Sequence, residues 1–307
     1  MIYNSLKRSR FLKQVLTLLT GTAIAQVIPL AASPVLTRIY NPENFGVFGL
    51  YFSIISILAI FATCRYELAI VVVDKEEEAL SLFYLAVGIS ILASILSPFL
   101  FFFLRSQYSF FHLNPDILQV VNFFPLSILI VGVYNSIDNL SIRYEKFKLI
   151  SISRILRNLV YVAFAILLGF YSISINSLVI SHILGIFSAT LILFLCLFDK
   201  LKSNVKIDKR MFFVSVVNVF RKYVNYPKFM IPARFAEVFS SESPTLMITM
   251  FFGLEAAGFY ALSKRVIQLP VSLISRATGD VFKKRATDEY QKYGSCTKLF
   301  DRTVFYL

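Results

Sequence analysis

The chain has no tryptophan, two histidines, three cysteines, 11 glycines and 10 prolines in 307 residues. With only His112 and His182, imidazole and metal chemistry have little material, and no zinc-ligand spacing occurs. A glycine-rich phosphate loop and a nucleophile-elbow pattern are also missing. Cys64, Cys196 and Cys296 do not form a disulfide framework. Charged residues make up only 16% of the chain, against about 25% in soluble domains.

What the chain has is hydrocarbon. Hydrophobic residues reach 57%, with 32 Phe. Apolar runs of about 20 residues recur along the whole length, enough for each to cross a bilayer as a helix. A soluble fold has no core large enough to hide them. The sequence therefore predicts an all-α polytopic membrane protein with about eight transmembrane helices. The spans are Gln14–Leu36, Phe45–Cys64, Ala79–Leu104, Ile117–Ile137, Arg154–Tyr171, Ile175–Phe198, Phe229–Phe252 and Ala256–Phe282. The basic start and Ala23-Ile24-Ala25 fit a cleaved signal peptide, but the apolar run continues past Ala25, which favours a retained span. Arg65–Glu78 reads as a loop with an apolar patch, Leu68–Val73, and Asp138–Ser153 as a basic loop. The run Phe99–Phe103 reads as lipid-facing surface.

The longest polar connection, Asp199–Lys228, divides the chain into a six-helix bundle (1–198), a linker (199–228) and the first two helices of a second bundle (229–307). Within the linker, Phe212, Val216, Val219, Phe220 and Tyr223 share a face. That pattern suits an interfacial amphipathic segment or a plain helix extension.

The net charge of +13 does not imply nucleic acid, because its placement follows the membrane. With the N-terminus cytoplasmic, nearly all Lys and Arg outside the spans fall on the inner side, together with Arg154 and Arg157 at the inner end of the fifth span. Only Arg38 and Arg105 lie outside. These positives anchor to the anionic inner leaflet, so membrane lipids are partners and no nucleic acid is expected.

The last two spans break the apolar pattern. Arg234, Glu237, Ser241, Thr245 and Thr249 lie close to one helical line, with Glu242 beside it. Lys264, Gln268, Ser272, Ser275 and Gly279 share a face in the next span, flanked by Arg265 and Arg276. A charge at the bilayer centre costs roughly 2.5–3.5 kcal/mol on insertion scales, so such residues face a wet cavity or one another. Two polar stripes lining one cavity is the reading adopted. The alternative is that Arg234–Glu237 is a self-neutralising pair and that Lys264 and Arg265 snorkel. Mid-helix His182 reads as a satisfied core histidine, and His112 as interfacial.

The first and last helix pairs echo each other. Ser33-Pro34 is followed by Glu43-x-x-Gly46-x-Phe48, and Ser243-Pro244 by Glu255-x-x-Gly258-x-Tyr260. The copies run in the same direction, as parallel repeats. Glu43 and Glu255 suit helix N-termini, and Gly46 and Gly258 suit close helix approach.

These motifs join others: Ala25-Gln26-Val27-Ile28-Pro29, Val35-Leu36-Thr37-Arg38-Ile39-Tyr40, Arg65-Tyr66-Glu67-Leu68-Ala69-Ile70, Tyr226-Pro227-Lys228 and Ala257-Gly258-Phe259-Tyr260-Ala261-Leu262 running to Leu269-Pro270. In them the chain resembles the polysaccharide-transport branch, the O-antigen and capsule repeat-unit flippases, of the multidrug/oligosaccharidyl-lipid/polysaccharide exporter superfamily. The resemblance implies two six-helix bundles around a central cavity. It also implies translocation of an undecaprenyl-diphosphate-linked oligosaccharide across the bacterial inner membrane for surface polysaccharide synthesis. This chain ends after its eighth helix, so the implied second bundle is incomplete, and a truncated remnant is one reading. On the family's terms Arg234, Lys264, Arg265 and Arg276 hold the diphosphate, and Arg65 guides it in or anchors the inner leaflet. Glu237 and Glu242 couple transport to a proton or sodium gradient or simply neutralise Arg234. No cofactor, metal or catalytic residue is implied, and polysaccharide polymerase machinery is a further partner. Competing readings are a multidrug exporter, which calls for an acidic cavity, and a membrane enzyme. A polymerase calls for a large external loop, and an acyltransferase for a partnered histidine.

Overall fold

The computed structural model describes residues 2–107, 119–171, 175–203, 209–268, 279, 281–291, 294–297 and 301. Among them there is no strand. The helices are α1 (Ile2–Ala31), α2 (Ser33–Ile39), α3 (Pro42–Ala62), α4 (Ala69–Val72), α5 (Glu76–Gln107), α6 (Phe124–Arg143), α7 (Phe147–Tyr171), α8 (Ile175–Ser203), α9 (Lys209–Lys222) and α10 (Asn225–Ile267). Seven segments are long and apolar enough to cross a membrane. The chain is an all-α polytopic membrane protein.

The seventh segment, α10, is two legs. Lys264 Nζ lies 2.7 Å from Glu242 although 22 residues separate them; a straight helix would set them about 33 Å apart at 1.5 Å per residue. The reversal is at Gly253, with φ 86° and ψ 179°, a region open essentially to glycine alone. The two C-terminal spans expected from the sequence are thus the legs of α10. The return leg leaves the described residues after Gln268, and Arg276, Pro270, Ser272 and Ser275 lie outside them, as does His112.

Two sequence-based boundaries are corrected. The first span is not one helix to Leu36: it breaks at Ala32, and α2 begins with Ser33-Pro34. Pro34 has no N–H to give the preceding turn, and proline is tolerated at a helix start. Asp138–Ser153 is not a loop either. The chain reverses through Tyr144–Lys146 alone, with Glu145 at φ 54°. Ile137, Leu140, Ile142, Phe147 and Ile150 are all buried, so the apolar face runs through the turn while the charges occupy another face.

Arg65–Glu78 is also more ordered than a loop. A 3₁₀ turn, Tyr66–Leu68, leads into α4, where Ala69, Ile70 and Val71 are buried. Arg143 holds this segment by donating to the carbonyls of Ile70 (3.0 Å), Val73 and Asp74 (3.1 Å). Neighbouring Tyr144 donates to Glu76; burial and then that bond push its phenol up to about 12. In the run Phe99–Phe103, Phe99 and Phe102 are exposed, but Phe101 is buried against Phe124.

Helix α1 packs on α7, α7 on α8, α6 on α5 and α8, and α3 on α6 and α8. Helix α9 docks on α5: Val219 is buried, Tyr223 and Lys222 both bond Glu78, and Tyr66 donates to the Phe220 carbonyl. Helix α10 lies along α3. A Cβ on Gly46 would strike the Leu254 carbonyl, and one on Gly258 would strike the Pro42 carbonyl. The close approach expected of these two glycines is therefore to each other's helix.

Candidate functional site

A cavity of about 790 Å³ lies between α1, α3, α6, α7, α8 and α10. Half of its lining residues are charged or amide-bearing. Arg65, Arg154, Arg157, Arg234, Lys264, Arg265 and Lys283 line it, against Glu67, Asp138, Glu237 and Glu242. Among the residues read as site candidates, Arg65, Arg234, Glu237, Glu242, Lys264 and Arg265 share this one space. Arg276 lies outside the described residues.

Each carboxylate has a cation beside it. Arg65 pairs with Glu67 at 3.0 Å, Arg154 with Asp138 at 3.6 Å and Lys264 with Glu242 at 2.7 Å; Arg234 pairs with Glu237. The last pair is the self-neutralising one. Its side chains are 42% and 66% exposed, and a pair that exposed contributes about 0–1 kcal/mol in water. The Lys264–Glu242 pair is buried, and Ser53 Oγ donates to the same carboxylate at 2.8 Å. Lys264 therefore reaches the facing leg of its own hairpin and does not snorkel. Losing one member of such a pair costs about 3–5 kcal/mol, because the other charge is left uncompensated.

Arg65 is placed by the backbone. Cys64 and Arg65 have φ of 46° and 62°, two consecutive left-handed residues that each cost roughly 1–2 kcal/mol. The turn carries the guanidinium to the cavity from the end of α3, and Glu67, bonded also by Thr63 at 2.5 Å, fixes it there. Stored strain of this kind is characteristic of functional positions.

Arg157 and Arg265 stand apart: neither has a carboxylate within ion-pair distance among the described residues. Arg157 lies over the Tyr134 ring at 5.7 Å and faces His182 Nε2 at 3.5 Å. Arg265 lies over the Tyr161 ring at 5.8 Å. His182 is buried, as a core histidine would be. It is ringed by Phe48, Tyr51, Phe52 and Tyr161 at 5.8–6.4 Å, yet it also contributes to the cavity wall.

Sequence reasoning missed the first-bundle wall. Arg154, Arg157, Asn158 and Tyr161 on α7 recur at helical spacing, as do Asn135, Asp138 and Asn139 on α6 and Thr22 and Gln26 on α1. By position along the chain Arg154 and Arg157 read as inner-leaflet positives. The signal that could have found them is that spacing inside an apolar helix. On α10 the polar stripe turns at Glu242: Arg234, Glu237, Glu242 and Thr245 line the cavity, while Ser241 is exposed.

Among the described residues no cluster of His, Cys, Asp and Glu could hold a metal ion. The arrangement offers positive charge, amides and aromatic faces, which bind anions and polyols.

A family model described as polysaccharide biosynthesis protein matches residues 35–288. No curated protein and no solved structure gives a significant match. The matched span contains every helix that lines the cavity except α1, and the chain belongs to this family of polysaccharide biosynthesis proteins.

Proposed function

We propose that the protein is a flippase, moving undecaprenyl-diphosphate-linked oligosaccharide repeat units from the cytoplasmic to the outer face of the bacterial inner membrane. Its N-terminus is cytoplasmic. The lipid tail stays in the bilayer, and the cavity gives the diphosphate and sugars a polar route. The observation that carries this reading is the charge pairing. Each carboxylate has one cation at ion-pair distance, and of the three further cations on the wall Arg157 and Arg265 have no carboxylate within that distance among the described residues and are left for an anion. Guanidinium groups bind phosphate oxygens in a bidentate fork, and a low-dielectric wall strengthens the attraction. A drug exporter for cations is disfavoured by the same excess of positive charge.

In this reading Arg65 meets the headgroup as it approaches, Arg157 and Arg265 hold it, and Arg234, Lys264 and Arg276 add to the field. Glu242 is the coupling group: protonation would free Lys264 and Ser53 and loosen the hairpin. Glu237, paired and exposed, serves Arg234. No cofactor takes part.

The test is a strain lacking the protein. Surface polysaccharide should be lost, and lipid-linked repeat units should accumulate shielded from a membrane-impermeant oxidant of sugars. Normal surface polysaccharide overturns the reading. Accumulation on the outer face also overturns it, in favour of a polymerase that acts after the flip.

A further inference from the structure

Among the described residues the cavity wall holds buried polar atoms with no hydrogen-bond partner, and one of them, Arg65 Nε, belongs to a guanidinium already paired with Glu67. Two others are Asn139 Oδ1 and the Tyr161 hydroxyl: both are buried and make no hydrogen bond of standard geometry, the Arg265 guanidinium standing near the hydroxyl. Their residues are only 8% and 5% exposed, and both line the cavity. The orientation of the Asn139 amide is fixed, because its nitrogen donates to the Asn135 carbonyl at 2.9 Å; a flipped amide would set oxygen against oxygen. The Tyr161 ring is equally fixed, stacked on Phe48 at 6.0 Å and covered by Arg265. Buried polar groups are nearly always paired, so a rigid unpaired acceptor and a rigid unpaired hydroxyl on one wall call for a ligand with hydroxyls.

Their placement says more. Tyr134 and Arg157 lie at the same level, one guanidinium over one ring. Asn139 is five residues along α6 from Tyr134, and Tyr161 is four residues along α7 from Arg157 in the opposite direction, since the two helices are antiparallel. At 1.5 Å per residue the two groups are about 13 Å apart along the bundle, on either side of Arg157. A lone phosphate at Arg157 cannot reach both.

We propose that Asn139 and Tyr161 form a sugar-recognition subsite, reading hydroxyl groups of the glycan while Arg157 and Arg265 hold its diphosphate. The subsite rests on the flippase reading and gives the cavity a means of discrimination. A site built to bond hydroxyls rejects a ligand lacking them, because its own buried groups are then left unpaired. Phe52, on the same wall, offers an apolar face for a sugar ring.

The experiment uses the full chain in lipid nanodiscs and farnesyl diphosphates carrying none, one or two sugars. The sugars are those of the surface polysaccharide of the cell that makes the protein. The glycosylated probes should bind about tenfold tighter than the bare diphosphate. Tyr161→Phe and Asn139→Leu should each lower that preference about fivefold, the loss falling on the glycosylated probes. Inorganic pyrophosphate separates recognition of the anion from recognition of the prenyl headgroup. Equal affinity for bare and glycosylated probes, or an equal loss across all probes in both variants, overturns the subsite and leaves the flippase reading standing. Binding of no probe overturns both. Tyr161→Phe removes one oxygen and keeps the ring contacts, so a misfolded Asn139→Leu protein still leaves a decisive measurement.

Discussion

A Cβ built on Gly49 would stand 3.1 Å from the Cβ of Ala261. The two residues are counterparts: Pro42, Gly46 and Gly49 match Leu254, Gly258 and Ala261 at one constant offset. Gly46 meets the backbone of Leu254, and Gly258 meets that of Pro42. Such reciprocity is what a two-fold axis produces, as in an interface where each side presents the same patch. Here the axis passes between Gly49 and Ala261, within one chain, and relates the start of α3 to the return leg of α10.

That seam tolerates no side chains at its two glycines. Gly46→Val and Gly258→Val should each lower thermal stability in detergent by roughly 1–3 kcal/mol, the usual cost of overpacking. Gly88→Ala is the matched control. Nothing lies within 4 Å of its added methyl, so it should be neutral or stabilise by about 0.5–1 kcal/mol through helix propensity. Melting curves of the three variants check the contrast.

The axis pair is also within reach of a crosslink. In a background without Cys64, Cys196 and Cys296, Gly49→Cys with Ala261→Cys should form a disulfide on mild oxidation. Its Cβ atoms need to separate only to the usual distance of about 3.8 Å. The readout is a reducible shift in gel mobility, and absence of the bond would reject the seam.

The two ion pairs of α10 should behave differently. Lys264→Ala strands the buried Glu242 and should cost about 3–5 kcal/mol. Adding Glu242→Gln should recover much of that loss. Arg234→Ala breaks an exposed pair and should cost about 0–1 kcal/mol. A double-mutant cycle on each pair, followed by thermal melting, separates them.

Charge matching also ranks the arginines. Arg157→Gln and Arg265→Gln should depress surface polysaccharide more than Arg234→Gln does, because only the first two have no carboxylate partner. Arg157→Lys should restore part of the signal, since lysine keeps the charge but loses the fork. Quantifying surface polysaccharide in complemented cells gives the order.

Much of the architecture could be read from residues alone. The apolar runs marked the spans, Ser-Pro with Glu-x-x-Gly marked the repeat, and the charges of α10 pointed to the cavity. The Asp138–Ser153 boundary failed for a physical reason. Counted along the chain, Asp138 looks like a loop residue and Arg154 and Arg157 like inner-side anchors at a span end. On helices they form one wet face, with Ile137, Leu140 and Ile150 buried on another. By chain position alone Arg157 therefore reads as an inner-leaflet anchor, and nothing in the sequence distinguishes Asn139.

Composition and hydropathy settled that the chain is helical and crosses a membrane, because hydrocarbon accepts no backbone that leaves its own polar groups unpaired. They also singled out Arg65, Arg234, Glu237, Glu242, Lys264 and Arg265, which line one cavity. Which carboxylate neutralises which cation was beyond them, since Lys264 meets Glu242 only after the chain reverses at Gly253. Charge pairing is decided by distance in space. In this protein the folding of the chain decided which cavity arginines have a carboxylate beside them.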